Sequence, residues 1–323
     1  MKTLDLGCGN LKSNGALGAD IIRLPDVDIL IDLSSLPFPF ADNAFDSVYL
    51  NDVIEHLPNT LKTLEEIHRI SRPNGKLYIR VVNWNSHYTA MDPTHLHAFT
   101  ENSFDFFGKR KNRSYYTKAR FNVNKIDYQY NALAERVIRK KSTLKILSFY
   151  LNNILEGLSF ELETIKDNTS SQPIEDWDNF FTILRCPYCL QHMKDNYAGK
   201  LKNLDNKWLV CQNGQCNRKY PIIDGTPILL LDEGEKWINF KESELPDPPE
   251  KEYPLVKDSN ERPLETQPDK SELNENIDFE SFCTWGLNRY EIIKKRIKVV
   301  GLSILIILFL LIGYLILHAR IGL

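Results

Sequence analysis

The sequence predicts an α/β fold for roughly the first half of its 323 residues. Short apolar stretches recur from residue 4 to residue 50, and glycine or an acid lies at their ends. A segment with helical spacing and a further apolar stretch then follow. Alternating apolar strands and helices are typical of a mostly parallel sheet with helices on both faces.

The first apolar stretch, residues 4–6, runs directly into a turn with glycine at positions 7 and 9. Glycine allows positive φ and has no Cβ, so backbone N–H groups can close on a ligand. In open α/β sheets, ligands bind just beyond the carboxyl ends of the strands, where this turn lies. Two glycines after a strand also form ordinary tight turns, so the turn alone leaves both interpretations open.

The next three apolar stretches form an ordered series with the first. Asp20 closes the second stretch, Asp32 closes the third, and the fourth leads into Asn51-Asp52-Val53-Ile54-Glu55-His56-Leu57. Over about residues 1–165 this series resembles the class I S-adenosylmethionine-dependent methyltransferases. The resemblance implies a Rossmann-like, seven-stranded, mostly parallel sheet with helices on both faces.

The same resemblance implies a cofactor site for S-adenosyl-L-methionine. Asp5 would fix the glycine turn, the turn would hold the methionine part, Asp20 would accept from the ribose hydroxyls, and Asn51 would line the pocket floor. Only residues 10–17 separate the turn from the second strand, too few for the usual helix. The implied cofactor-binding residues are Asp5, Gly7, Cys8, Gly9, Asp20, Asn51 and, for adenine, Asp32 with the backbone of Leu33.

Further elements follow from periodicity. Apolar residues at 61, 64, 67 and 70 predict a helix, and residues 72–75 end it before a fifth strand at 76–82. Alternation predicts two more strands, and the segment between them has a helical pattern. These predictions cover strands at 120–130 and 160–166 and a helix at 132–158.

A polar, aromatic loop follows the fifth strand, and in the resembled family this loop faces the methyl group. Its acidic and imidazole side chains could act as a general base or hold a metal ion. The alternative is that they only shape the loop through local hydrogen bonds. The candidate catalytic residues are His56, Asp92, His95 and His97.

The segment 109–158 is strongly basic in its first part and apolar in its last part. Twelve lysines and arginines oppose two acids between residues 109 and 145. One interpretation is an amphipathic segment on anionic lipid headgroups. A second is an RNA-binding surface, and a third is a helix on the sheet with a solvated basic rim.

After a polar linker at 168–176, residues 177–232 carry four cysteines with metal-ligand spacing, Cys186, Cys189, Cys211 and Cys216. Two such pairs are the ligand set of a structural zinc ribbon, and the alternative is four reduced thiols without metal. With its flanking residues this segment resembles the small zinc-binding activator proteins that pair with tRNA, ribosomal RNA and release-factor methyltransferases. The resemblance implies Zn2+ and a built-in activator that contacts the methyltransferase domain, and strand addition to a sheet edge is the hypothesis for that contact.

Residues 233–288 are predicted to be a disordered tether. Between residues 241 and 280 there are thirteen acids, five bases and six prolines, with few large apolar side chains. Such a stretch cannot bury enough surface to offset its chain entropy.

Residues 289–323 predict a basic flank and a transmembrane anchor. Residues 299–317 are nineteen in number without a charge, enough for a helix of about 28 Å. Four bases lie just before this run, so the positive-inside rule keeps the N-terminal domains cytoplasmic. No signal peptide is recognised before residue 4, which fits the same expectation.

The sequence therefore predicts a membrane-anchored S-adenosylmethionine-dependent methyltransferase acting on a lipid, a lipid-linked glycan or another membrane-presented acceptor. One alternative is an RNA or translation-factor methyltransferase with a fused activator. A second is a catalytically inactive membrane scaffold. The net charge of −3 does not distinguish between these partners.

Overall fold

A computed structural model describes residues 2–108, 116–166, 180–193 and 199–256. They all fall within one compact unit, Met1–Arg262. The predicted linker at 168–176 and the predicted anchor at 289–323 lie outside the described residues. Within the described ranges, no helix is both long and apolar enough to cross a membrane.

The first domain is built on one seven-stranded sheet, as predicted. Its strand order is β3-β2-β1-β4-β5-β7-β6, and all neighbours are parallel except β7, which runs antiparallel to β5 and β6. The apolar stretches fall on the strands, and β4, β5 and β7 alternate buried side chains with partly exposed ones. The strands are β1 (Thr3–Leu6), β2 (Leu17–Asp20), β3 (Ile29–Leu30), β4 (Phe45–Asn51), β5 (Ser71–Val82), β6 (Phe121–Tyr130) and β7 (Leu155–Thr164).

Helix α1 (Thr60–Ile70) confirms the helix predicted at 61–70. It begins after Asn59, whose side chain accepts a hydrogen bond from the backbone N–H of Lys62 at 3.0 Å. Its buried residues Leu64, Ile67 and Ile70 join the same core as the inward side chains of β5. A short helix α2 (His87–Met91) and two 3-10 turns, Ile54–His56 and Ser103–Phe107, complete this side.

Within the described ranges, one face of β4, β5, β7 and β6 departs from the prediction of helices on both faces. On the face opposite α1, these strands bear an open cleft of about 330 Å³. Tyr49 stacks on Tyr78 there, with ring centroids 4.7 Å apart. Polar and aromatic side chains of these four strands line the cleft.

The helix predicted at 132–158 is shorter and broken. The structure has α3 (Ala132–Val137) and α4 (Lys141–Tyr150), and residues from Leu155 onward belong to β7. Asn153 has a φ of 61°, which turns the chain out of α4. Leu155 and Leu158 are buried by strand pairing, because alternate residues of β7 face the core.

A second, antiparallel sheet of four strands follows, in the order β11-β10-β9-β8, with helix α5 (Pro187–His192) before it. Directly after its last strand in sequence, the chain reaches the edge strand of the first sheet. There Leu30 and Ile228 form a parallel bridge, and the N–H of Leu229 donates to the carbonyl of Leu30 at 3.0 Å. The two sheets therefore meet at β3. The strands are β8 (Leu201–Leu204), β9 (Trp208–Cys211), β10 (Lys219–Ile223) and β11 (Thr226–Pro227).

The predicted disordered tether at 233–288 does not begin at 233. Helix α6 (Leu231–Lys236) is followed by chain that packs onto the second sheet, where the Trp237 ring lies edge-on to Trp208 with centroids 4.8 Å apart. Val256 is buried and its N–H donates to the carbonyl of Arg23 at 2.9 Å. The aromatic residues supply the apolar surface that the average composition concealed. The rest of the predicted tether lies outside the described residues.

Candidate active site and cysteine cluster

The glycine turn after β1 is tightly packed. Gly7 has a φ of 68°, and its N–H donates to the carbonyl of Ala19 at 2.7 Å. A Cβ on Gly7 would lie 2.4 Å from Cγ2 of Val53, which follows β4. Only glycine fits both the backbone conformation and this close approach.

Two buried or half-buried carboxylates hold the turn in place. Asp5 accepts from the N–H of Ser13 at 2.7 Å, and Asp20 accepts from the N–H of Gly9 at 2.9 Å and of Ile22 at 3.1 Å. Burial raises the pKa of Asp5, although the bond from Ser13 opposes that shift. Asp5 therefore braces the turn from below, and Asp20 braces it from the side of β2.

The turn forms one wall of a cleft of about 550 Å³. Cys8 is nearly buried in this wall, and burial beside Asp20 and Asp5 raises its pKa to about 12, so the thiol stays protonated. Of the predicted cofactor residues, five line the cleft and Asp20 is bonded to it through Gly9. The lining residues are Asp5, Gly7, Cys8, Gly9, Asn10, Leu11, Asn51, Asp52 and Arg80.

Asp32 and Leu33 do not line this cleft. The Asp32 carboxylate accepts from the N–H of Ser34 at 2.8 Å and from the hydroxyl of Ser35 at 2.6 Å. It borders a small cavity that is also lined by residues 229–231. These belong to the cysteine-bearing segment 177–232, which we call the second domain. Their role at the adenine ring stays a prediction.

The sequence did not single out an ion pair at the mouth of the cleft. Asp52 has a φ of 55°, and Arg80 on the neighbouring strand donates from Nε to its carboxylate at 2.9 Å. This hydrogen bond raises the pKa of Arg80, which stays charged. In the sequence, only the alternation of side chains along β5 could have predicted that Arg80 lies on the face of the sheet that bears the open clefts.

Three of the four candidate catalytic residues come together on the loops after β4 and β5. One ligand atom from each of His56, Asp92 and His95 lies within 4.8 Å of the others. The two imidazole ring centroids are 4.7 Å apart. His97 is not part of this cluster, because its Nε2 bonds the carbonyl of Leu57 at 3.0 Å. That contact supports the interpretation that His97 shapes the loop.

Glu55 is a second residue that sequence reasoning passed over. It is 1% exposed, its Oε1 accepts from the N–H of Val82 at 3.3 Å, and its backbone carbonyl accepts from the N–H groups of Leu96 and His97. Burial raises the pKa of this carboxyl. Glu55 thus ties the loop after β5, residues 83–97, which we call the acceptor loop, to the ends of β4 and β5.

An exposed apolar surface adjoins this loop. Asn85 donates from Nδ2 to the carbonyls of Ser148 and Leu151 at 3.1 and 3.2 Å, which joins the loop to the end of α4. Large apolar side chains are exposed on both sides of this junction. We define the acceptor-side apolar surface as Trp84, Tyr88, Met91, Leu96, Leu133, Val137, Ile146, Phe149, Tyr150 and Leu151.

All four cysteines of the second domain are buried in one cluster. The Sγ atoms of Cys186 and Cys216 are 3.7 Å apart, and those of Cys189 and Cys211 are 3.6 Å apart. Thiolates around one tetrahedral zinc at about 2.3 Å lie about 3.8 Å apart, so the cluster fits that ion. Tyr220 Oη lies 3.2 Å from Cys186 Sγ, which supplies a donor from outside the cluster.

Several solved methyltransferase structures are similar to the first domain. An S-adenosylmethionine-dependent methyltransferase from Archaeoglobus fulgidus is 20% identical over 50% of this chain and 85% of that one, with a TM-score of 0.35. One from Mesorhizobium loti is 13% identical over 50% and 90%, with a TM-score of 0.35. A complex between the Haloferax volcanii Trm112 methyltransferase activator and a methyltransferase is 15% identical over 51% and 83%, with a TM-score of 0.34.

Sequence comparison points to the same class of domain. An uncharacterised protein of Methanocaldococcus jannaschii is 51% identical over 51 residues, which are 16% of this chain. The chain matches only 22% of the length of that curated relative. A model of the methyltransferase domain family matches residues 4–79, which hold the glycine turn, Asp20 and the Asn51 end of β4. This part of the chain is therefore similar to methyltransferase domains.

Proposed function

We propose that this protein transfers a methyl group from S-adenosylmethionine to an acceptor presented at a lipid surface. The observation that carries the proposal is the position of the cleft beside the glycine turn. The glycine turn, the end of β4 and Arg80 of β5 line this cleft, and the acceptor loop follows β5 directly in the chain. The residues of the acceptor-side apolar surface belong to that loop, to α3, and to α4 with its end, which Asn85 joins to the loop.

Different residues at the cleft would bind different parts of the cofactor. The turn lets a ligand approach closely because Gly7 and Gly9 carry no Cβ, and Arg80 offers a guanidinium for the methionine carboxylate. The lone pairs of Asp20 that its bonds from Gly9 and Ile22 leave free would accept from ribose. The cofactor supplies an already activated methyl group on a sulfonium. The protein therefore has mainly to orient the acceptor and exclude water.

The lipid-surface part of the proposal has two supports in the described residues. The acceptor-side apolar surface exposes aromatic and aliphatic side chains, among them Tyr150 at 81% and Val137 at 72%. Exposed bases on α3, α4 and the link between them flank it, namely Arg136, Arg139, Lys140 and Lys141. Exposed apolar residues bordered by bases are typical of segments that rest on anionic bilayers. The anchor predicted at 299–317 and the cytoplasmic orientation of the N-terminal domains belong to the same proposal.

The second domain is proposed to bind Zn2+ through its four cysteines and to stabilise the methyltransferase domain. Its supports are the sulfur spacing and the contact at β3, where the chain near Ile228 lies along the edge strand. The ion would be structural, because four thiolates leave no open position.

The test is transfer of radiolabelled methyl from S-adenosylmethionine with membranes, RNA and soluble protein offered in parallel. Label in the lipid extract or in membrane-embedded acceptors is the expected result. Label confined to RNA or to a translation factor would replace this proposal with the RNA or translation-factor alternative. If the protein binds the cofactor but labels no acceptor, the inactive membrane scaffold would become the favoured alternative.

Membrane contact is tested separately by vesicle co-sedimentation of the unit 1–262. Replacing Phe149 and Tyr150 by Ser should weaken binding to anionic vesicles, because both side chains are exposed apolar anchors. The matched control is Leu255→Ser, which alters an exposed apolar residue away from the acceptor-side apolar surface. Equal binding of all three proteins would contradict the lipid-surface proposal.

A further inference from the structure

We propose that His56, Asp92 and His95 form a binding site for a divalent cation on the acceptor loop. One ligand atom from each residue lies within 4.8 Å of the others, and His95 Nε2 is 4.0 Å from Asp92 Oδ2. All three side chains are half-buried, so they reach a ligand without being sealed in the core. Two imidazoles and one carboxylate are a frequent donor set for divalent transition metals.

The hydrogen bonds around Thr94 fix the tautomer of His56. The Thr94 hydroxyl lies 2.6 Å from Asp92 Oδ1 and 2.8 Å from His56 Nδ1. An ionised carboxylate can only accept, so the single hydroxyl proton goes to Asp92. Thr94 Oγ1 must then accept from Nδ1–H of His56. This leaves Nε2 of His56 with its lone pair free for a cation.

A carbonyl fixes the tautomer of His95 in the same way. Its Nδ1 lies 3.2 Å from the carbonyl oxygen of Thr89, which can only accept. Nδ1 therefore carries the proton, and Nε2 presents its lone pair toward Asp92. An imidazole that binds a metal through one nitrogen almost always donates its other N–H to a carbonyl, carboxylate or water. Both histidines meet this condition before any ion is bound.

The carboxylate is also ready to bind. Its Oδ1 accepts from the hydroxyl of Thr94 at 2.6 Å and from the N–H of Thr94 at 2.8 Å, which leaves Oδ2 for a cation. Ligand atoms around one cation at about 2.1 Å lie about 3 to 4 Å apart. His95 Nε2 and Asp92 Oδ2, which are 4.0 Å apart, already have about this spacing. Three protein ligands leave open positions on the ion.

The use of those open positions rests on the proposed function. A hydroxyl of the acceptor that binds the cation becomes more acidic and releases its proton to water. The oxygen lone pair then attacks the methyl carbon of S-adenosylmethionine, and the carbon–sulfur bond breaks with its electron pair passing to sulfur. The products are a methyl ether and a neutral thioether. This selects a hydroxyl or phenol acceptor over an amine, which needs no such activation.

The test is a titration of Mn2+ into the full-length, zinc-loaded protein in detergent, without S-adenosylmethionine. The electron paramagnetic resonance signal of free Mn2+ measures how much Mn2+ stays unbound. Mn2+ favours imidazole and carboxylate ligands and leaves zinc on the thiolates. Saturable binding of a single Mn2+ per chain is expected. Asp92→Asn and His95→Ala should each weaken binding by about tenfold or more. His87→Ala, a change to an exposed histidine of the same loop, should leave it unchanged.

Thr94→Val distinguishes a built site from a chance cluster, because it removes the hydroxyl that orients His56 and Asp92 but no ligand. It should weaken Mn2+ binding severalfold while circular dichroism stays unchanged. No saturable binding, or binding that none of these variants affects, overturns the inference. Methyl transfer that persists in a chelator would then leave the proposed function standing without a cation. Mn2+ binding at this site by a protein without transferase activity would instead support the cation site and contradict the proposed function.

Discussion

Arg23, in the loop after β2, forms an ion pair with Asp224 of the second domain, with Nη2 and Oδ2 2.6 Å apart. The Arg23 side chain is 7% exposed, and its Nη1 also donates to the carbonyl of Tyr253 at 3.0 Å. One guanidinium therefore joins the methyltransferase domain, the second sheet and the chain that follows it. This contact lies next to the bridge between Leu30 and Ile228.

Arg23→Met should destabilise the protein by about 1–2 kcal/mol, since charge-assisted hydrogen bonds to two segments are lost while the apolar stem is kept. The measurement is thermal unfolding of the unit 1–262. Arg139→Met, on the exposed link between α3 and α4, is the control and should leave the midpoint unchanged. Equal midpoints for all three proteins would mean that Arg23 does not hold the domains together.

Gly7→Ala should abolish measurable cofactor binding, because the new Cβ would meet Val53 Cγ2 at 2.4 Å and push the turn away from the cleft. Gly15→Ala is the matched control. It has nearly the same φ, 71°, but open space around the position of the new Cβ. It should keep cofactor affinity and lose only about 1 kcal/mol of stability. Comparable affinity in the two variants would contradict this account of the turn.

Glu233 gives the chain a stability that depends on pH. It is fully buried, and burial alone would raise its pKa, but bonds from Lys236, Trp237 and Tyr253 lower the pKa below the ordinary 4.5. A lowered pKa in the folded state contributes stability above the unfolded value, and this stability is lost as pH falls through the folded pKa.

Glu233→Gln should therefore cost about 2 kcal/mol at pH 7 and reduce the fall in stability below about pH 4.5. Urea unfolding across pH 3–7 measures both effects. Glu244→Gln removes a charge from an exposed carboxylate and serves as the control. A wild-type acid profile that persists in Glu233→Gln would show that another group is responsible.

Removal of the proposed zinc should lower stability by about 4 kcal/mol, the linkage expected for a ligand present at a thousandfold excess over its dissociation constant. Zinc content by emission spectroscopy and thermal unfolding are measured together. Cys186→Ser should lose the ion, whereas Cys8→Ser, which changes a cysteine outside the cluster, should keep it. A cluster that carries no zinc after purification in zinc-containing buffer would contradict the assignment.

The glycine turn and the strands of the first sheet could be predicted because each has a strong local signal. Gly7 and the apolar run before it leave few other conformations, and the spacing of Leu61 to Ile70 specifies α1. The cysteines were equally clear in sequence, because metal ligands in pairs leave a fixed spacing.

Other features depend on contacts between distant residues and have no local signal. The composition of residues 241–280 indicated disorder, yet burial of Glu233 and Val256 and edge-on packing of Trp237 against Trp208 hold the chain to residue 256. The predicted long helix failed at Leu155 because strand pairing outweighed helical periodicity. The hydrogen bonds of Thr94 that orient His56 and Asp92 appear only when the loops after β4 and β5 are brought together.

The most direct test of the central claim is calorimetric titration of S-adenosylmethionine into the unit 1–262, beside Asp20→Ala. Asp20 holds the N–H of Gly9 and faces the predicted ribose position, so its removal should weaken binding by about tenfold or more. Binding by the parent and weakened binding by the variant are the predicted result. A folded, zinc-loaded parent that does not bind S-adenosylmethionine would contradict the account.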